Sequence, residues 1–154
     1  MKDKDNIMCG LGCEIVMYEK VYQINKNIIL DSISKHATSI KKYAFILHNK
    51  DNEKDNHYHV FLQFKQTRYF DEIASWFNVN INDIEKLKSR YNNAVLYLVH
   101  KHQPEKYQYD AKDVISNFDF TSLVNDDDIK SVRIDFDLFP ITHYKDIYKY
   151  DAKK

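Results

Sequence analysis

The stretch from Tyr43 to Phe64, YAFILHNKDNEKDNHYHVFLQF, decides how this chain folds. Two apolar runs, Tyr43–Leu47 and Tyr58–Phe64, flank the polar segment NKDNEKDN (49–56), the pattern of two strands joined by a loop. Side chains in a strand alternate between faces, so residues i and i+2 share a face roughly 6.5–7 Å apart. His57 and His59 therefore project together, while Tyr58, Val60, Leu62 and Phe64 form an apolar opposite face. His48 ends the first run and Asp51 follows within a turn. An antiparallel hairpin through 49–56 would gather three imidazoles and one carboxylate. Such a donor set suits Mn, Zn or Fe ions, and the carboxylate tilts it towards harder ions. The plainer reading is a polar stripe on a half-buried strand beside a charged loop. Four ligand-type residues within twelve positions favour a metal centre holding a divalent ion, Mn²⁺ first and Mg²⁺ as the alternative.

Working outward, 154 residues suit one domain with a real core. The chain is 44% hydrophobic and 14% aromatic with two Gly and two Pro, which excludes a disordered or collagen-like chain. Formal net charge is +0, so bulk charge gives no support to a nucleic-acid partner. The distribution is uneven. Residues 41–112 carry twelve Lys/Arg against nine Asp/Glu, and residues 119–137 carry six Asp against Lys130 and Arg133. Cys9 and Cys13 (CGLGC) are read as reduced thiols. No apolar run suits a signal peptide or a membrane span, so a cytoplasmic protein with no membrane partner is expected.

Along the chain, residues 1–10 read as a flexible leader and Cys13–Val21 as a strand. Asn25–Ser39 places Ile28, Ile29, Ile33 and Ala37 at helical spacing. Lys41–Leu47 and His57–Lys65 are the hairpin strands. A helix follows from Thr67, with Phe70, Ile73, Ala74 and Phe77 as its core stripe. IEKLK (84–88) is a short strand or a helical turn. Arg90–His100 carries Tyr91, Ala94, Val95, Leu98 and Val99 at helical spacing and predicts one continuous helix ended by Pro104. Ala111–Asn117 begins a last helix or turn, Ser131–Phe136 reads as a strand, and 121–154 is an acidic, tyrosine-rich C-terminal segment. These elements give an α+β fold: an antiparallel sheet with helices packed on it, in one domain over 1–154.

LHNKD (47–51), HYHVFLQF (57–64), VLYLVHKH (95–102) and YQYDAKDVISNFDF (107–120) together resemble the motifs of HUH endonucleases. The closest likeness is to the replication initiators of small rolling-circle plasmids, the Rep_2 type, over about residues 40–120. The resemblance implies a ferredoxin-like or RRM-like HUH fold, with His48, Asp51, His57 and His59 as metal ligands and Tyr97 as nucleophile. It implies attack on origin DNA that leaves a 5′-phosphotyrosine and a free 3′-OH, and a C-terminal oligomerisation region in longer members. Tyr91 is read as core, and Tyr107 and Tyr109 as loop residues. His100 and Lys101 are candidates for orienting the phosphate or the tyrosine.

Tyrosine attack needs a single-stranded or hairpin origin DNA, and such sites combine basic side chains with stacking surfaces. Candidate contacts are Lys41, Lys42, Lys50, Lys54, Lys65, Arg68, Lys86, Lys88, Arg90, His100 and Lys101. Two other readings compete: a zinc hydrolase using metal-bound water, and a non-catalytic DNA-binding module whose histidines are structural.

Overall fold

The structure, a computed structural model, describes residues 7–51 and 54–138. The chain divides into two units, 1–120 and 121–154, the boundary falling where the sequence turns acidic. In the first unit β1 (Met8–Tyr18) is followed by the single turn α1 (Glu19–Tyr22) and by α2 (Lys26–Lys35). The hairpin β2 (Ile40–His48) and β3 (His57–Tyr69) leads to α3 (Phe70–Phe77) and β4 (Ile84–Lys86). A single α-turn, α4 (Tyr91–Ala94), runs into a 3₁₀ helix over Val95–Val99, and β5 (Ile115–Ser116) ends the unit's regular structure.

The five strands form one sheet in the order β4-β1-β3-β2-β5, antiparallel throughout. With α2 and α3 this is β-α-β-β-α-β with β3 inserted between β1 and β2, the split βαβ of ferredoxin-like folds. The α+β expectation holds.

Alternation sorts the two faces. Ile15, Met17, Phe45, Val60, Leu62 and Phe64 pack with Ile29 and Ile33 of α2 and Phe70, Ile73 and Phe77 of α3 into the main core. Asn25 caps α2 by accepting from the Ile28 N–H at 3.0 Å. Asn78 ends α3 in the left-handed region at φ 55°. The other face carries Ala44, Ile46, Phe61 and the histidines. Residues 91–99 lie across it, with Tyr91, Val95 and Leu98 buried and the Tyr91 hydroxyl donating to the Phe61 carbonyl at 3.0 Å.

Four expectations are corrected. Residues 8–10 belong to β1; residues 1–6 lie outside the described residues. Two glycines make this extension fit: Gly10 has φ +95°, and a Cβ on Gly12 would meet Leu87 Cδ1 at 2.7 Å. The strand before α3 continues to Tyr69, because its far end still pairs with β1. The continuous helix Arg90–His100 is instead one α-turn and a 3₁₀ stretch. Ser131–Phe136 is helical, inside α5 (Phe120–Leu138). Residues 111–117 hold a short turn and β5, which pairs with Ala44 and Phe45 of β2. The tail after Pro140 lies outside the described residues.

Candidate metal centre and its tyrosine

His48 ends β2 and His57 begins β3, and they stand directly opposite each other in the ladder; His59 faces Ile46 one step further in. Strand pairing alone thus puts three imidazoles on one face, all buried. Their ligating nitrogens lie within 4.8 Å of one another, and a second such group joins His48, Asp51 and His100. Asp51 Oδ2 is 3.5 Å from His48 Nδ1 and 3.5 Å from His57 Nε2. All four ligands expected from the sequence therefore converge, with His100 beside them.

Hydrogen bonds fix which ring nitrogens face inward. His48 Nε2 lies 2.7 Å from the Leu98 carbonyl, His57 Nδ1 2.9 Å from that of Asp55, and His100 Nδ1 2.7 Å from that of Tyr107. A carbonyl only accepts, so each ring donates there, and in the neutral form its other nitrogen keeps a lone pair. His48 Nδ1, His59 Nδ1 and His100 Nε2 are buried without a hydrogen-bond partner among the described residues. An unsatisfied buried polar atom costs about 1–3 kcal/mol. Lone pairs and a carboxylate turned towards one point, with no proton between them, fit a divalent cation there.

Burial pushes the His48 imidazole down to about 4, against the opposing Leu98 hydrogen bond; the neighbouring His59 adds to the depression. His59 is lowered for the same first reason, although Glu14 works the other way. For Asp51, burial alone would raise the carboxyl. The Tyr109 hydrogen bond and the surrounding imidazoles outweigh it, so the group sits below its ordinary value. Burial thus favours the neutral imidazole at His48 and His59, and the surroundings of Asp51 favour its ionised carboxylate, the forms that bind a metal.

Two members of this shell were missed in the sequence. Tyr109 donates to Asp51 Oδ1 at 2.8 Å and accepts from the Lys50 N–H at 2.8 Å, and its ring stacks on His48 at 4.4 Å. Glu14 on β1 takes His59 Nε2 at 2.7 Å. The available signal for Glu14 was a carboxylate within the apolar run CEIVMY; for Tyr109 there was none beyond the adjoining Asp110.

Tyr97 is half-buried, its ring centroid 5.1 Å from His59, 6.3 Å from His48 and 4.9 Å from His100. The tight winding brings the two residues within one turn: the 3₁₀ stretch ends with the His100 N–H donating to the Tyr97 carbonyl at 2.9 Å. His100 then turns the chain with φ 58°. The Tyr97 hydroxyl accepts from Lys106 Nζ at 2.8 Å, at the exposed rim.

The basic candidates separate into groups. Lys50 reaches the Tyr107 hydroxyl at 3.5 Å, and Lys54 lines a small cavity with Asp51, Glu105, Lys106 and Tyr107. Lys88 lines the groove holding His59 and Tyr97, and half-buried Lys101 follows His100. Lys41, Lys42, Lys86 and Arg90 line a separate cleft. Lys65 is exposed on β3. Arg68 is engaged on the helix side, with Glu72 at 3.0 Å, Ser39 at 3.0 Å and the Trp76 ring at 5.5 Å. No helix among the described residues is long and apolar enough to cross a membrane.

Comparison with known proteins now adds to the geometry. Residues 15–121 match the family described as plasmid replication protein, origin binding domain. The chain is 34% identical over 131 residues to a replication protein of Onion yellows phytoplasma (strain OY-M), covering 75% of this chain and 34% of that protein. It is 35% identical over 83 residues to the replication protein RepB of Lactiplantibacillus plantarum, covering 49% of this chain and 38% of that protein. The chain thus spans little more than a third of the length of these curated relatives. The family model covers β2 to β5, the last part of β1, the four proposed ligands and Tyr97, and this chain belongs to the origin binding domain family of plasmid replication proteins.

Proposed function

We propose that this chain nicks and rejoins one DNA strand at a rolling-circle plasmid origin, as an HUH-type endonuclease, with Tyr97 as nucleophile. The observation that carries the reading is the placement of Tyr97 beside His48 and His59, its hydroxyl at the solvent rim instead of in the core. His48, Asp51, His57 and His59 would hold a divalent ion, Mn²⁺ or Mg²⁺, with His100 within reach of the same cluster. When bound, the ion supplies Lewis-acid polarisation of the scissile phosphate.

The chain's own residues do the remainder. Tyr97 Oη forms a bond to phosphorus as the bond from phosphorus to the 3′ oxygen breaks. The phenol proton passes to solvent in the groove and the departing oxygen takes up a proton, leaving a 5′-phosphotyrosine and a free 3′-OH. The intermediate divides one hard step into two, and its reversal rejoins the ends. Lys106 donates to the phenol oxygen and holds it at the rim; that hydrogen bond raises the Lys106 pKa, so the ammonium stays charged. The Leu98, Asp55 and Tyr107 carbonyls keep the imidazoles oriented.

The test is a denaturing gel of the protein with a single-stranded origin oligonucleotide and Mn²⁺, with and without EDTA. A covalent adduct is expected only with metal, and Tyr97→Phe should abolish it while binding Mn²⁺ normally. Cutting that leaves no adduct would point to a metal-bound water, and an undiminished adduct in Tyr97→Phe would remove that residue from its role.

A further inference from the structure

The groove at Tyr97 does not end there. Leu87 and Ser89 line it together with His59, Lys88 and Tyr97, and the same two residues line a neighbouring cleft with Lys41, Lys42, Lys86 and Arg90. That cleft has four cationic side chains and no carboxylate in its lining, in a chain whose formal net charge is +0. The other large cavity near the site, by contrast, sets Asp110 and Asp113 against Lys26 and Lys50. Four cations with no carboxylate among the lining residues make a local field that favours a polyanion. Gln63 in the cleft stands four residues along β3 from His59, about 13 Å at roughly 3.3 Å per residue. At one phosphate per 3.4 Å or more along a strand, that distance takes at most about four nucleotides. Phe118, half-buried, lies 5.4 Å from Lys42 Nζ and offers an aromatic surface beside the cations.

We infer that this cleft is a second DNA site, which holds the phosphate backbone of the cut strand a few nucleotides from the attacked phosphate, with Lys42 and Arg90 as its central contacts. The link to Tyr97 rests on the proposed nicking reaction; the phosphate-binding cleft itself does not. Anchoring the strand there would draw the scissile phosphate against Tyr97 without any base-specific contact.

The test is fluorescence anisotropy with a mixed-sequence 12-nucleotide single-stranded DNA and its duplex, in EDTA and on a Tyr97→Phe background, so that neither metal nor cutting contributes. Lys42→Ala/Arg90→Ala should weaken single-strand binding about tenfold or more. It should also flatten the slope of log affinity against log salt by about 1.4, two phosphates at 0.7 each. Lys26→Ala/Lys35→Ala, at the two ends of α2, removes the same charge and should change neither quantity. Unchanged single-strand affinity and slope in Lys42→Ala/Arg90→Ala, a loss confined to the duplex, or an equal loss in the α2 variant would each overturn the inference. Absence of an adduct with the unmutated protein would instead sink the tyrosine reading and leave the binding difference standing.

Discussion

Tyr109 donates a 2.8 Å hydrogen bond to Asp51 from 58 residues further along the chain, and its ring lies stacked on His48. One loop residue thus steadies two of the four proposed ligands. Removing a partner that orients a metal ligand typically lowers affinity about 10–100-fold. Tyr109→Phe should weaken Mn²⁺ binding by that order while the ring keeps its stack and the fold its stability. Calorimetric titration checks it, and an unchanged affinity would show that Asp51 needs no such support.

Lys106→Met should slow adduct formation about 100-fold, the scale of losing one donor at a site of developing charge. Mn²⁺ affinity should change far less, because the Lys106 ammonium is held on the Tyr97 hydroxyl and ring. Single-turnover rates at saturating DNA and metal provide the readout.

The His48 imidazole titrates near 4 in the folded protein and near 6.5 when unfolded. Between those values the unfolded chain takes up a proton that the folded chain refuses, so the unfolded state gains as pH falls. Metal-free protein should therefore keep this contribution in full above about pH 6.5 and lose up to ~3 kcal/mol of it on the way to pH 4. Urea melts in EDTA across that range test the slope. His48→Asn should flatten it, and a profile as steep in that variant would assign the effect elsewhere.

Leu62 is fully buried on the helix side of β3, with its side chain turned away from the imidazoles. Leu62→Ala should cost about 2–5 kcal/mol of stability, the usual range for such a cavity. At a temperature where the variant stays folded, Mn²⁺ affinity should match that of the parent. A loss of affinity there would mean that the two faces of the sheet are energetically coupled.

The hairpin was legible because period-two alternation leaves the histidines only one face to occupy, and the polar run 49–56 leaves only one place to turn. The segment after Arg90 was not. Its apolar spacing at 91, 94, 95, 98 and 99 fits 3.6 residues per turn and scatters over all three rows of a 3.0 winding, so periodicity pointed away from the 3₁₀ stretch that forms. The difference matters, since the segment closes with the His100 N–H donating to the Tyr97 carbonyl, one tight turn back. The roles of Glu14 and Tyr109 depend on pairings distant in sequence, β1 against β3 and the 101–110 loop against the hairpin turn, and a carboxylate in the run CEIVMY was the one local sign of either. Ser131–Phe136 misled for the opposite reason. Six residues of loose alternation carry little information against a helix that runs from Phe120 to Leu138.

The facing of His48 and His57 across the ladder has a consequence for how this protein can change length. The turn between them lies beyond the last rung, so a change of length between Asp51 and Asp55 leaves the facing of the two imidazoles to the ladder itself. A single residue inserted between Phe61 and Phe64 enjoys no such freedom. Unless it were absorbed as a bulge, it would swing one end of the strand half a turn and present oil where the proposed cation would sit.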